Sequence, residues 1–371
     1  MSGTGDCRVR RQTRSHPGRI CVLLLGLACF LPPASTSAQP GVSFEAGDLV
    51  VRTTEDLKLY REGKQIASWG ESWVIGADAR PSVYAASMDG GALVLRRYTS
   101  TADYIEYRSA ALGAGLLLSK VLHWRGKAYI VYTIDHEENA AGPWKGDGGE
   151  GRVSGRWVCV VPFDPQKGEF LRPIPLRDEF GRAEIIVKAK KLTDGRPLPR
   201  GARDAVLESG LFDAAITPRG ELWLSTQGKL TSYMLGGLPP GLLKLLDPEH
   251  IEGFGQRTGK IDWWISRHGN GTGIEPLSDT HLVVVDGNPP GGLTIVNTID
   301  PPASRRLCSA VFPDDKQSWG LRPVLDLGDE ILVAHTHPDV DKIYRISRAT
   351  GEVLGSLAQG VGIRDMALIG E

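Results

Sequence analysis

"IRDMALIGE", residues 363–371, ends the chain, and "GDLVVRTTEDLKLYREGKQIAS", residues 47–68, lies near its start. Joined tail to head, they read apolar strand, turn, apolar strand, polar turn, strand, turn, strand. The same order runs without interruption through "FDAAITPRG" (212–220) and "ELWLSTQGKLTSY" (221–233). One repeat is therefore divided between the two ends. A linear stack of sheets leaves its terminal edges open to other chains, whereas a ring whose last sheet takes strands from both ends has no open terminal sheet. The division predicts a closed ring.

Further units support that reading: "SVYAASMDGGALVLRRY" (82–98), "VLHWRGKAYIVYTIDHEEN" (121–139) continuing into "RWVCVVPFDPQKGEFLRP" (156–173), "IEPLSDTHLVVVDGNPPGGLTIVN" (274–297) and "RPVLDLGDEILVAHTHPDVDKIYRI" (322–346). Each alternates short runs rich in β-branched and aromatic residues with Gly, Pro and Asp turns. Only "GLLKLLDPEHIEGF" (241–254) has a helical pattern. The chain reads as all-β, and a sandwich, a barrel and a radial repeat are the available architectures. Repetition at roughly 40 to 50 residues is the propeller period. The expectation is a β-propeller of six to seven four-stranded blades, closed by N- and C-terminal strands in one blade. It spans residues 39–371 as one domain, with inserted loops near 138–155 and 177–206.

"KIYRISRATGEVLGSL" (342–357), with its turn at Thr350 and Gly351, resembles the outer hairpin of secreted β-propellers, and "DAAITPRGELWLST" (213–226) resembles an inner strand pair. The chain thus resembles the broad superfamily of NHL-type, streptogramin-lyase-type and gluconolactonase-type propellers. That resemblance implies an architecture and not an activity. Gluconolactonase-type enzymes hold one divalent ion with a Glu, Asn and Asp set, but their early Glu-Gly-Pro signature is replaced here by "DLVVRTTEDLKLY" (48–60).

The first 38 residues differ in kind from the rest. Arg8, Arg10, Arg11, Arg14 and Arg19 precede "ICVLLLGLACFL", and "PPASTSAQP" follows with small residues at Thr36 and Ala38. This is the pattern of a secretory signal cleaved after Ala38, giving a secreted or periplasmic protein. The apolar run is shorter than the roughly 20 residues that span a bilayer, and no later run is long enough, so no transmembrane segment is expected. Leu27, Ala28 and Cys29 resemble a lipoprotein cleavage box, an alternative in which Cys29 carries a lipid, and Arg10 with Arg11 resembles a twin-arginine signal. Removing residues 1–38 takes away five arginines and Asp6, so the net charge moves from −1 to −5. Such a chain lacks the Lys/Arg clusters that neutralise phosphates, and nucleic acid is not an expected partner. Of the five cysteines, only Cys159 and Cys308 remain, placed about two blades apart and expected as buried thiols.

Candidate site residues are sought in the turns between second and third strands, where loops gather on one face of a propeller. The polar residues there are Glu55, Asp56, Asp89, Asp135, His136, Glu137, Glu138, Gln227, Asp286, Asn288, His335, His337, Asp339 and Asp341. Asp135, His136, Glu137, Asp286 and Asn288 are the candidate ligand-binding set. His335, His337, Asp339 and Asp341, in "AHTHPDVDK" (334–342), are the candidate metal set, because neutral imidazole and carboxylate are good ligands for a divalent ion. Val340 stands where the HxHxDH zinc motif needs a third histidine, so that hydrolase type is excluded. No certain cofactor is implied beyond one candidate divalent metal ion, and no catalytic residue is identified. Trp223, Trp263, Trp264 and Trp319 are expected mostly as core residues with paired indole N–H groups. The functional expectation is a binding protein for a protein, peptide or glycan; the alternative is a metal-assisted propeller hydrolase or lyase.

Overall fold

The structure, a computed structural model, describes residues 10–11, 41–78, 80–113, 115–139, 152–175, 185–187, 206–207, 211–226, 229–234, 256–257, 271–286, 292–300, 303–308, 321–336 and 340–370. Its strands in chain order begin with β1 (Arg10–Arg11), β2 (Leu49–Arg52), β3 (Leu57–Arg61) and β4 (Lys64–Trp69). Next come β5 (Val74–Ala77), β6 (Val83–Asp89), β7 (Ala92–Tyr98) and β8 (Tyr104–Ala111). They are followed by β9 (Leu117–Trp124), β10 (Lys127–Asn139), β11 (Arg152–Asp164), β12 (Glu169–Phe170), β13 (Ile174–Pro175), β14 (Ile185–Val187) and β15 (Val206–Leu207). Then β16 (Leu211–Ile216), β17 (Glu221–Thr226), β18 (Lys229–Met234) and β19 (Gln256–Arg257) precede β20 (Gly271–Pro276), β21 (His281–Asp286), β22 (Gly292–Asn297) and β23 (Arg305–Cys308). Last are β24 (Leu321–Asp326), β25 (Glu330–His335), β26 (Lys342–Ser347), β27 (Val353–Gln359) and β28 (Asp365–Leu368).

Four sheets have four strands: β28-β2-β3-β4, β16-β17-β18-β19, β20-β21-β22-β23 and β24-β25-β26-β27. The β5-β6-β7-β8 sheet gains β1 as a fifth strand, and the sheet built on β9-β10-β11 has seven. Innermost strands pack on one another in the order β28, β5, β9, β16, β20, β24 and back to β28. These are propeller blades set radially around an axis.

"HLVVVD" (281–286) shows why the strands read as near-continuous apolar runs. Successive side chains leave opposite faces of a strand. Leu282 and Val284 pack with Ala215 and Trp223 of the preceding blade, while Val283 and Val285 pack with Val324, Ile331 and Val333 of the following one. Both faces are buried, so neither can be polar. Each fully buried aliphatic side chain contributes about 1.5–3 kcal/mol.

The ends meet as expected. β28 pairs antiparallel with β2 in the register Leu49↔Leu368, Val50↔Ala367, Val51↔Met366, Arg52↔Asp365. The Gly47 amide donates to the Ile369 carbonyl at 2.9 Å, and the Ile369 amide donates to the Asp48 carbonyl at 2.9 Å.

Several expectations are corrected. Glu138 and Asn139 belong to β10 and residues 152–155 to β11, while residues 140–151 of the expected loop near 138–155 lie outside the described residues. Asp135, His136 and Glu137 likewise lie in a strand. The segment 177–206 contains β14 and the first residue of β15. Trp223 is a core residue as expected, but its indole Nε1, like that of Trp69, has no hydrogen-bond partner. Cys159 is buried and Cys308 only half-buried, and neither is disulfide-bonded. The helix-like segment 241–254, together with Trp263, Trp264 and Trp319, lies outside the described residues.

Candidate functional site

The innermost strands bring one lysine and several carboxylates to the axis. Lys120 on β9 places Nζ 2.8 Å from Asp365 Oδ1 on β28 and 3.3 Å from Asp213 Oδ1 on β16. Asp213 also accepts from the Ala214 amide at 2.9 Å and from the Ile274 amide of the next blade at 3.1 Å. Asp365 accepts from the Met366 amide at 2.9 Å. Glu275 on β20 accepts from the backbone of Asp326 on β24, and Asp326 pairs with Arg348 at 2.9 Å. On β5 the corresponding stretch carries no charge.

Burial alone would favour neutral Lys120, but Asp213 and Asp365 outweigh it and hold the ammonium well above the ordinary lysine range. Burial pushes the Glu275 carboxyl up to about 8, although Lys120 pulls it down, because Asp213 and Asp326 add negative charge beside it. This cluster is absent from the sequence-based candidates, since each member is a lone charged residue in an apolar strand. The alignment of "FDAAI" with "RDMAL" already places Asp213 over Asp365, and that equivalence was the available signal.

A second feature stands at the strand ends. β9 stops pairing with β10 at Leu117↔Thr133, whereas β10 and β11 remain paired from Ile134↔Trp157 to Asn139↔Arg152. Six further pairs extend the hairpin by about 20 Å at the usual rise per residue. β14 lies against β11 over Gly155–Trp157 and extends this projection sideways. Asp135, His136 and Glu137 are on this hairpin. Met88, 40 % exposed near the β6–β7 turn, and Leu117, 54 % exposed at the start of β9, lie at the corresponding ends of two adjacent blades.

The remaining candidates are dispersed. Glu55 and Asp56 occupy the β2–β3 turn, where Asp56 accepts from the Thr53 hydroxyl at 2.6 Å and from the Ser68 hydroxyl. Asp89 forms an exposed pair with Arg108 at 2.6 Å. Asp286 ends β21, and Asn288 and Gln227 lie outside the described residues. His335 ends β25 fully buried, paired in register with Leu321 and Lys342. Asp341 accepts from the Ile363 amide at 2.7 Å and from the Gly362 amide, which folds the approach to β28 over its carboxylate. His337 and Asp339 lie outside the described residues. Among the described residues no three His, Cys, Asp or Glu side chains gather as a metal site.

A polar brace stands between the β5 and β9 blades. Asp78 accepts from Ser82 at 3.1 Å, Arg97 at 3.2 Å and the Tyr84 hydroxyl at 3.4 Å. His123 Nε2 is 3.1 Å from Asp78 Oδ1 without the angle of a hydrogen bond. Burial lowers the His123 pKa, and Arg97 and Arg80 act the same way, against the pull of Asp78.

The fold and the axial strands define a β-propeller. Among solved structures the chain is similar to a protein of unknown function from Bacteroides caccae, with TM-score 0.52 and 10% identity, covering 88% of this chain and 100% of that one. It is also similar to a chain in a nidogen/laminin complex, with TM-score 0.50 and 8% identity, covering 86% of this chain and 97% of that one. At such identities the likeness shows the fold alone. No family model matches the chain, and no curated protein matches it significantly. Among the described residues no helix is long and apolar enough to cross a membrane.

Proposed function

We propose that this chain is an exported binding protein, secreted or periplasmic, built as six blades. Its ligand is a protein, peptide or glycan recognised on the face that carries the turns between second and third strands. The supporting observation is the β10–β11 hairpin, whose pairing runs six residues past the end of β9. A strand pair that leaves the blade gains little from the core, so its retention suits a surface used for contact. Met88 and Leu117 supply exposed apolar area near its base, of the kind that marks interaction sites. Asp135, His136 and Glu137 on the hairpin, with Asp286 and Asn288, would supply the polar contacts.

The metal-assisted hydrolase or lyase is the weaker reading. Asp341 already accepts two backbone amides, and Lys120 already occupies Asp213 and Asp365.

Glycan and peptide arrays probed with residues 39–371 test the binding reading. The comparison is a variant in which residues 135–156 are replaced by Asn-Gly, a two-residue hairpin turn. Ligands bound by the parent and lost by the folded variant are expected. Equal binding by both would overturn the hairpin as the contact surface. Equilibrium dialysis against Ca, Zn and Mn, giving stoichiometric binding lost in His335→Ala, would favour the enzyme instead.

A further inference from the structure

The outermost strands of the blades differ in how far they run without interruption. β8 keeps five consecutive pairs with β7, from Val94↔Arg108 to Tyr98↔Tyr104. The longest unbroken run is three pairs at β4 and two each at β19, β23 and β27, where register shifts or a short strand break the ladder. Bulges and short strands blunt an edge against added strands, so β8 offers the longest straight row of backbone donors and acceptors among these five. A strand already sits on it. β1 pairs antiparallel with β8 in the register Arg10↔Glu106, Arg11↔Ile105, whereas β4, β19, β23 and β27 carry no further strand among the described residues.

The approach to β2 delivers the N-terminal segment to this edge. The Val42 amide donates to Thr101 Oγ1 at 2.8 Å, the Thr101 amide donates to the Val42 carbonyl at 3.0 Å, and Ser43 bridges to Ser100, all on the turn from β7 to β8. The chain before residue 41 is therefore tethered at the start of β8. The edge is also suited to a cation. Glu106 is the one acidic residue of β8 and is half-buried, and it pairs with Arg96 at 2.9 Å. Arg96 in turn lies over the rings of Trp73 at 4.0 Å and Tyr104 at 4.8 Å, which fixes it on the inner side of the carboxylate. A carboxylate has about four lone-pair sites, so one held by Arg96 can still accept from a second cation.

We propose that the β8 edge is a strand-addition site for an extended basic segment, and that its occupant is this chain's own N-terminal segment around Arg10 and Arg11. Backbone hydrogen bonds supply the affinity of such a site, and an opposed charge pair fixes its register. The register sets Arg10 opposite Glu106, and Arg8, Arg11 and Arg14 make the whole segment basic. While residues 1–38 stay attached, the segment covers the one long unbroken edge of the ring. Their removal bares it. That release step rests on the export reading above; the docking does not.

Amide hydrogen exchange of the full chain against residues 39–371 tests the docking. Exchange over residues 104–108 is expected to be about tenfold slower in the full chain, as for a tethered segment whose effective concentration is about ten times its dissociation constant. Arg10→Pro with Arg11→Pro in the full chain is expected to abolish the difference, because proline has no amide to donate. A synthetic peptide of residues 8–14, "RVRRQTR", added to residues 39–371 at roughly 1 mM, is expected to slow the same amides and not those of β4 or β27. Glu106→Gln should weaken that effect, and prolines at positions 10 and 11 of the peptide should remove it. Equal exchange in the full chain and residues 39–371 would overturn the proposal. So would equal binding of the proline peptide, or protection spread over all outer strands, since both mean attraction of a cation to an acidic chain without strand addition. Should the full chain fail to fold, the peptide comparison decides alone. Cleavage after Ala38 is read separately, from the N-terminal sequence of the exported protein, so a failure of export is not a failure of docking.

Discussion

Asp341 shows how a residue type suggests chemistry that its surroundings redirect. Its position two residues after Asp339 and four after His337 reads as a ligand spacing, yet its carboxylate turns inward and accepts the amides of residues 362 and 363. Asp341→Ala leaves two donors without their acceptor, at about 1–3 kcal/mol each where no water replaces it. A lower urea midpoint is expected, with Asp341→Asn intermediate because its amide oxygen still accepts; an Ala variant as stable as the parent would refute the structural role. His123 gives a pH prediction of definite sign. Folding holds its imidazole below the ordinary histidine value, so the unfolded chain takes up a proton first as pH falls below about 6.5, and stability is lost. In His123→Gln the thermal midpoint should depend less on pH between about 6.5 and 5 than it does in the parent. Equal slopes would contradict that assignment.

At the scale of the element, close approach of inner strands and turns separates two kinds of glycine. Gly220 has a φ of +90° and faces the Trp124 ring, where a Cβ would come within 2.3 Å, while the Trp124 indole donates to the Pro218 carbonyl at 2.8 Å. Gly63 and Gly328 also have positive φ but face open space. Gly76→Ala, whose Cβ would lie 2.2 Å from the Val121 carbonyl oxygen, and Gly220→Ala should each lower stability by overpacking, about 1–3 kcal/mol, measured by denaturant unfolding. Gly63→Ala and Gly328→Ala should show only the backbone cost of a positive φ, about 1–2 kcal/mol, with no overpacking added. Equal losses at all four positions would show that the inner contacts are looser than described. Turns and strands were legible in the sequence because each is written locally, by Gly, Pro and Asp between apolar runs. The length of the β10–β11 hairpin was not, since "DHEEN" has the polarity of a turn and pairs only because "RVSGR" lies opposite.

For the whole molecule, the ring was legible because its two tails are pieces of one repeat, a signal that needs no knowledge of distance. The axial cluster was not. Lys120 and Asp365 are 245 residues apart, and only the order of blades around the axis brings them together. The central claim is the register in which the tails meet. Val50 and Ala367 are directly opposed and point into the same apolar cluster, whereas Met366 points to the other face. In residues 39–371 with Cys159 and Cys308 changed to serine, oxidation of a Val50→Cys, Ala367→Cys variant measures that register. The closed ring predicts efficient formation of an intramolecular disulfide in this pair and none in Val50→Cys, Met366→Cys, because a one-residue slip reverses the faces. Failure of the first pair, or equal crosslinking of both, would contradict closure of the ring by its own two ends.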